Sequence, residues 1–212
     1  MAENYVSFFR APLTKKVPAG EVSVAQLHKY ITTDADLRNR SSLVLEALQQ
    51  GGEEAYCKAK RTHLPYVTPF GIFKRADVDN FVCPSGIIVV DIDDLQSREE
   101  AESLRDKLFE DEILPIRLAF VSPSGKGVKL FLEYNMPLHL PFTHFLESAL
   151  CNVWLYLDSM YGVKADPAGK DVCRACLLCH DAGAKFRASR PYVEGVKHVD
   201  FAILLSPGYF HL

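Results

Sequence analysis

The sequence predicts an α+β fold built on the order β-α-β-β-α-β, the split βαβ or ferredoxin-like arrangement. Three observations predict it. Three apolar, β-branched runs stand at residues 86–92, 115–122 and 128–134. Two amphipathic segments with helix signals, at 97–111 and 141–162, alternate with them. A fourth short apolar run, VCRACLLC, closes the series at 172–179. The first 85 residues read differently, as helices with a few strands, so the chain divides into an N-terminal αβ subdomain (1–85) and a second subdomain (86–212).

Each element has its own signal. VSVAQLHKYI suggests a short helix. DADLRNRSSLVLEALQQGG suggests a longer one, with Asp34 near its start and Gly51 past its end. In LPYVTPFGIF, Pro65 and Pro69 argue against a central strand before Gly71. GIIVVDI has the β-branched run of a buried strand. SREEAESLRDKLFED begins a helix with Ser97 as N-cap and Glu100 completing a capping box. PIRLAFVS and VKLFLEY are joined by PSGKG, a turn by its Pro and Gly content, and so form a hairpin. PFTHFLESALCNVWLYLDSMYG is a helix stopped by Gly162. Right-handed crossovers then give the spatial order fourth, first, third, second, with antiparallel neighbours.

Composition bounds the function. The chain has 212 residues, 48% hydrophobic and 24% charged, as in an ordinary globular protein. No apolar run approaches the length that spans a bilayer, so no membrane segment is expected. The start, MAENYVSFFRAPLTKK, lacks the basic-then-apolar order of a signal peptide, and a cytoplasmic location is the expectation. Six cysteines then read as reduced thiols. A net charge of −3 excludes a polycation, so nucleic acid would need a local basic patch.

The chemistry gathers where the first long strand ends, in VVDIDDL. Asp91 and Asp93 are two residues apart and share a face. Two carboxylates on one face repel unless a cation sits between them, and oxygen-only ligands suit Mg²⁺ or Mn²⁺. A third carboxylate, Asp166 or Asp171, would complete a site for two ions that clamp a phosphoryl transfer. The plain alternative is that these aspartates end a strand and cap a helix. The turn SPSGKGVK supplies Ser122, Ser124, Gly125, Lys126, Gly127 and Lys129. Its backbone N–H groups could form a nest for a triphosphate, with lysine charge added. It is not a Walker A loop, because Gly127 is followed by Val128. A simple hairpin turn is the alternative. Lys58, Lys60, Arg61, Lys74 and Arg75 interleave with Tyr56, Tyr66, Phe70 and Phe73; the rings are expected to pack in the core, while the cations suit a single-stranded template or, equally, a solvated edge. Cys173, Cys176, Cys179 and His180 carry C-x2-C-x2-C spacing, but strand alternation splits the thiols between faces, so buried thiols are expected and zinc is not.

An apolar strand ending in DxD, a small-residue turn with a basic residue, and an Asp followed eight residues later by Arg resemble the three motifs of archaeo-eukaryotic primases. The pattern is similar to the VirE N-terminal or BT4734-like branch of that primase-polymerase superfamily, and extends to VSFFRAPL, LPYVTPFGIF and DPAGKDVCRACLLCHD. The resemblance implies an RRM-like catalytic subdomain and nucleotidyl transfer to a 3′-hydroxyl in the replication of a mobile element. It implies Mg²⁺ or Mn²⁺, nucleoside triphosphates, a single-stranded DNA template and a replicative helicase as partner. Asp91, Asp93 and Asp166 match its metal ligands. Lys129 stands where many members have a histidine that contacts the triphosphate. Arg174 would contact nucleotide or template, with an ion pair to Asp171 as its structural alternative. Two rivals remain. A HAD-type phosphatase shares the DxD strand but needs a Thr where Leu95 stands. A catalytically silent module would keep the fold and bind nucleic acid.

Overall fold

The computed structural model describes residues 4–134, 141–167 and 171–188. Residues 168–170 of the third-motif stretch and 189–212 of the expected second subdomain lie outside the described residues. The fold is α+β, with antiparallel sheets and four α-helices among the described residues.

The first half forms β1 (Tyr5–Phe9), β2 (Gly20–Ser23), α1 (Val24–Thr33), α2 (Ala35–His63), β3 (Tyr66–Thr68), β4 (Gly71–Phe73) and β5 (Phe81–Pro84). Ser23 caps α1 in a complete capping box with Gln26, and Asp34 caps α2 by accepting from the Leu37 amide. The second half forms β6 (Ile87–Ile92), α3 (Arg98–Phe109), β7 (Ile116–Val121), β8 (Val128–Glu133), α4 (Phe142–Tyr161), β9 (Cys176–Leu177) and β10 (Lys185–Phe186). One sheet runs β2-β1-β3-β9 and the other β10-β7-β8-β6, while β4 and β5 pair alone. A single cluster of buried apolar side chains joins Val6, Leu27 and Val67 of the first half to Ile88, Phe120, Leu130 and Leu157 of the second. Removing such side chains from water is the main favourable term of the fold.

Several sequence expectations need correction. The fourth strand does not lie beside β6. Among the described residues that edge carries an Ile92–Ala165 bridge and a hydrogen bond from the Asp166 amide to the Asp91 carbonyl, after which Pro167 has no N–H to continue a ladder. The expected strand at 172–179 shrinks to β9, because Asp171 closes a turn: its carboxylate accepts from the Cys173 amide and its carbonyl from the Arg174 amide. β9 then pairs with β3, and β10 takes the outer edge of β7. β3 is a central strand despite its prolines, which sit just outside its three residues; the Pro65 carbonyl accepts from Leu178. The long helix does not stop at Gly51. It bends at Gly52, whose φ of 67° is open to glycine at little steric cost, and continues to His63. Finally, Glu100 accepts from the Gln96 amide rather than from Ser97, so the box on α3 is displaced by one residue although Ser97 is the cap.

Behind the second sheet lies a buried ion pair. Arg105 of α3 donates to Asp181 at 3.0 Å, and Asp181 also accepts from the amides of Val121 and Gly183. Asp181, the aspartate that ends the third-motif stretch, is therefore an internal anchor that holds the end of β7. Asp181→Ala would leave the buried Nη1 end of Arg105 without its acceptor, with only the half-exposed Asp106 still bonded to Arg105 Nε. We expect a loss of about 3–5 kcal/mol in urea denaturation, with the midpoint falling and the slope unchanged.

Candidate functional site

The register of β6 against β8 pairs Asp91 with Lys129 and Ile92 with Val128. Directly opposed side chains on one sheet face are close neighbours, and here they carry opposite charge. Lys129 Nζ lies 2.8 Å from Asp91 Oδ1. Arg174 Nη2 lies 3.3 Å from Asp91 Oδ2 and 2.6 Å from Asp166 Oδ2. Both Asp91 and Lys129 are buried, at 9% exposure each. Asp93 sits just past the end of β6 at the surface. These groups line one cleft of about 230 Å³, together with Tyr56, Lys60, Ser122, Pro123, Ala175 and Leu177.

The turn between β7 and β8 is held tightly against this edge. The Ser122 amide donates to the Gly127 carbonyl, and the Leu95 amide donates to the Lys126 carbonyl. A Cβ on Gly127 would stand 2.5 Å from the Ile92 carbonyl oxygen and 2.8 Å from Asp93 Oδ1, so only glycine lets the turn approach the carboxylates. Within the turn, Gly125 donates to the Ser122 carbonyl and Lys126 to the Ser124 hydroxyl. The amides of Gly125 and Lys126 are thus engaged within the turn. Lys126 itself is exposed.

The electrostatics follow from these contacts. Burial alone would raise the Asp91 pKa, but Lys129 and Arg174 outweigh it and hold the carboxyl below its ordinary value. Lys129 is raised: its burial works against the charge, and Asp91 more than compensates. Asp93 goes the other way. Partial burial pushes its pKa up, and the Asp91 and Asp166 charges add to this against the pull of Lys129. Cys176, buried beside the cleft, is pushed up to about 12 by burial, and Cys179 is raised for the same reason. Both are unreactive buried thiols at neutral pH.

Of the residues singled out from sequence, Asp91, Asp93, Asp166, Ser122, Lys129 and Arg174 meet in the cleft. Asp171 serves the turn instead, and Arg174 bonds to Asp166 and Asp91 rather than to the Asp171 carboxylate. Among the basic residues, Lys60 reaches the cleft, Arg75 pairs with Asp77, and Lys58, Arg61 and Lys74 are exposed. His180 lies near Arg38, and its amide donates to Ser41. Tyr56 packs in the core, as its aromatic neighbours suggest, and also lines the cleft, as do Ala175 and Leu177. The kinked helix brings Tyr56 there, and only its one-turn spacing from Lys60 hinted at this in the sequence. Among the described residues, no three His, Cys, Asp or Glu side chains cluster closely enough to hold a metal ion as they stand.

A family model, BT4734-like, N-terminal domain, matches residues 58–186, more than half of the chain. The chain belongs to the BT4734-like N-terminal domain family. The BT4734-like match runs from the second half of α2 through β10, and so contains the whole charged edge of β6 and the turn that faces it. VSFFRAPL lies before its start. No curated protein and no solved structure is significantly similar to the chain. Among the described residues of this BT4734-like domain, no helix is long and apolar enough to cross a membrane.

The paired charges set a pH dependence. A carboxylate whose folded pKa is below its unfolded value adds stability above the unfolded value, and that stability is lost as pH falls through the folded pKa. Asp91 is in this class, so wild type should lose its contribution only in acid, below the ordinary carboxylate range. Lys129→Met removes the strongest cation. We expect the Asp91 carboxyl to titrate at higher pH than in wild type, read by carbon-detected NMR, and stability at neutral pH to fall by about 3–5 kcal/mol.

Proposed function

We propose that this domain is a primase-polymerase-like nucleotidyltransferase that extends a 3′-hydroxyl on a single-stranded DNA template. The observation that carries the reading is the meeting of Asp91, Asp93 and Asp166 with Lys129, Lys60 and Arg174 in one cleft. The order β6-α3-β7-β8-α4 and the antiparallel β7-β8-β6 sheet support an RRM-like catalytic unit. Membership of the BT4734-like family supports the same direction.

The donor set fits a divalent metal in kind: three carboxylates and no sulfur or imidazole suit Mg²⁺ or Mn²⁺. Asp91, Asp93 and Asp166 would hold it. When bound there, such ions supply a lowered pKa at the attacking hydroxyl and neutralise the leaving pyrophosphate. The chain's own residues do the rest. Lys129 and Arg174 keep Asp91 ionised and fixed at the sheet edge, and they add positive charge where phosphates would lie. Gly127 keeps the β7–β8 turn close enough to wall the cleft. The exposed cations Lys58, Arg61 and Lys74 give a template strand a surface to follow.

A second reading, a catalytically silent nucleic-acid-binding module, is favoured by one observation: each Asp91 oxygen already has a cationic partner. Primer extension on single-stranded DNA with Mn²⁺ separates the two. We expect extension by wild type, none by Asp93→Ala, and a raised KM for the triphosphate with a smaller change in kcat for Lys129→Ala. Retained binding of single-stranded DNA without any extension would select the silent module. Phosphate release from small phosphomonoesters would select a phosphatase instead.

A further inference from the structure

The cleft contains three carboxylates and three cations, and they are not equally available. Lys129 is held by Asp91, and Arg174 spans Asp91 and Asp166. Lys60 lines the same cleft and has no carboxylate partner among the described residues. Its ammonium instead lies 4.5 Å from the centroid of the Tyr56 ring. A cation at that distance over an aromatic face is attracted by the ring quadrupole. Tyr56 is itself fixed by packing, being buried at 6% exposure within the core while it lines the cleft. The two residues are one helical turn apart on the part of α2 that follows the Gly52 bend.

We propose that Lys60 is the cation of this cleft that takes the phosphate of a nucleoside triphosphate, and that Tyr56 is the positioning residue that aims it. This rests on the nucleotide-binding reading above and gives Lys60, which the sequence alone groups with the template-side cations, to the incoming nucleotide. A cation already neutralised at 2.8 Å must break its ion pair to serve a ligand. One held only by a ring keeps its full charge for the ligand and loses little on engaging it. The phosphate chemistry is shared with a DNA strand, so the two sources must be tested separately.

The test is calorimetric titration of the full chain with ATP, dATP and inorganic tripolyphosphate in Mg²⁺, with a parallel titration by a single-stranded oligonucleotide. We expect Lys60→Met to weaken all three triphosphates about tenfold and the oligonucleotide by less than twofold. Tyr56→Phe keeps the ring and should stay within twofold of wild type. Tyr56→Leu should weaken triphosphates nearly as much as Lys60→Met, and the double variant should lose no more than Lys60→Met alone, since aiming has no effect once the ammonium is gone. Simple destabilisation by Tyr56→Leu would instead add to the loss in the double variant, and that outcome overturns the positioning role. Wild-type triphosphate affinity in Lys60→Met, with weakened oligonucleotide binding, overturns the assignment of Lys60 and leaves the nucleotide reading intact. No triphosphate binding by wild type itself overturns both.

Discussion

The cleft depends on one buried cross-strand ion pair, Asp91 with Lys129. Two charges at 9% exposure are costly to take out of water, and they are tolerated only when each neutralises the other. The pair therefore specifies more than it stabilises. Slipping β6 against β8 by one residue would send both side chains to the opposite faces and leave each charge alone. The apolar residues on either side, Val90 and Ile92 with Leu130 and Val128, pack in the core on the same alignment. Register, core and charge are thus satisfied by one alignment.

Arg174 extends this constraint beyond the sheet. Its guanidinium reaches Asp91 from a segment that belongs to no strand of the second sheet, and it brings Asp166 along. Among the described residues, no strand continues along the edge of β6 past the Ile92–Ala165 bridge, and the carboxylates face a cleft. A complete fourth strand at that edge would have covered them. The shortened pairing after Pro167 and the tight turn at Gly127 together leave a polar opening in a sheet whose other positions are almost wholly buried.

Much of this was legible in the sequence, and the pattern of what was not is physical. The strands at β6, β7 and β8 and the helices α3 and α4 follow from local periodicity and caps, which need no tertiary information. The meeting of Asp91 and Lys129 was inferable because antiparallel order puts strand ends together, whereas Asp166 arrives on a segment that is not the expected fourth strand. The partner of β9 was not, since a two-residue strand carries no periodicity and any free edge could receive it. β3 was missed because the proline rule concerns residues inside a ladder, and here both prolines lie just outside it. The role of Tyr56 was hidden by the bend at Gly52, as a straight helix and a bent one have the same local sequence signals up to the glycine itself.

The segment from Cys176 to Phe186 joins both sheets. It places β9 on the first sheet and β10 on the second, and between them it anchors Asp181 to Arg105 and Val121. Its consequence is temporal. A chain emerging from the ribosome delivers β1, α1, α2 and the β6–β7–β8 sheet long before this segment, yet neither sheet has its final edge until it arrives. Arg105 has only its neighbour Asp106 for the same interval, and Asp91 waits for Arg174. The cleft is therefore among the last parts to assemble during synthesis, closed by contacts between residues about 80 apart in sequence.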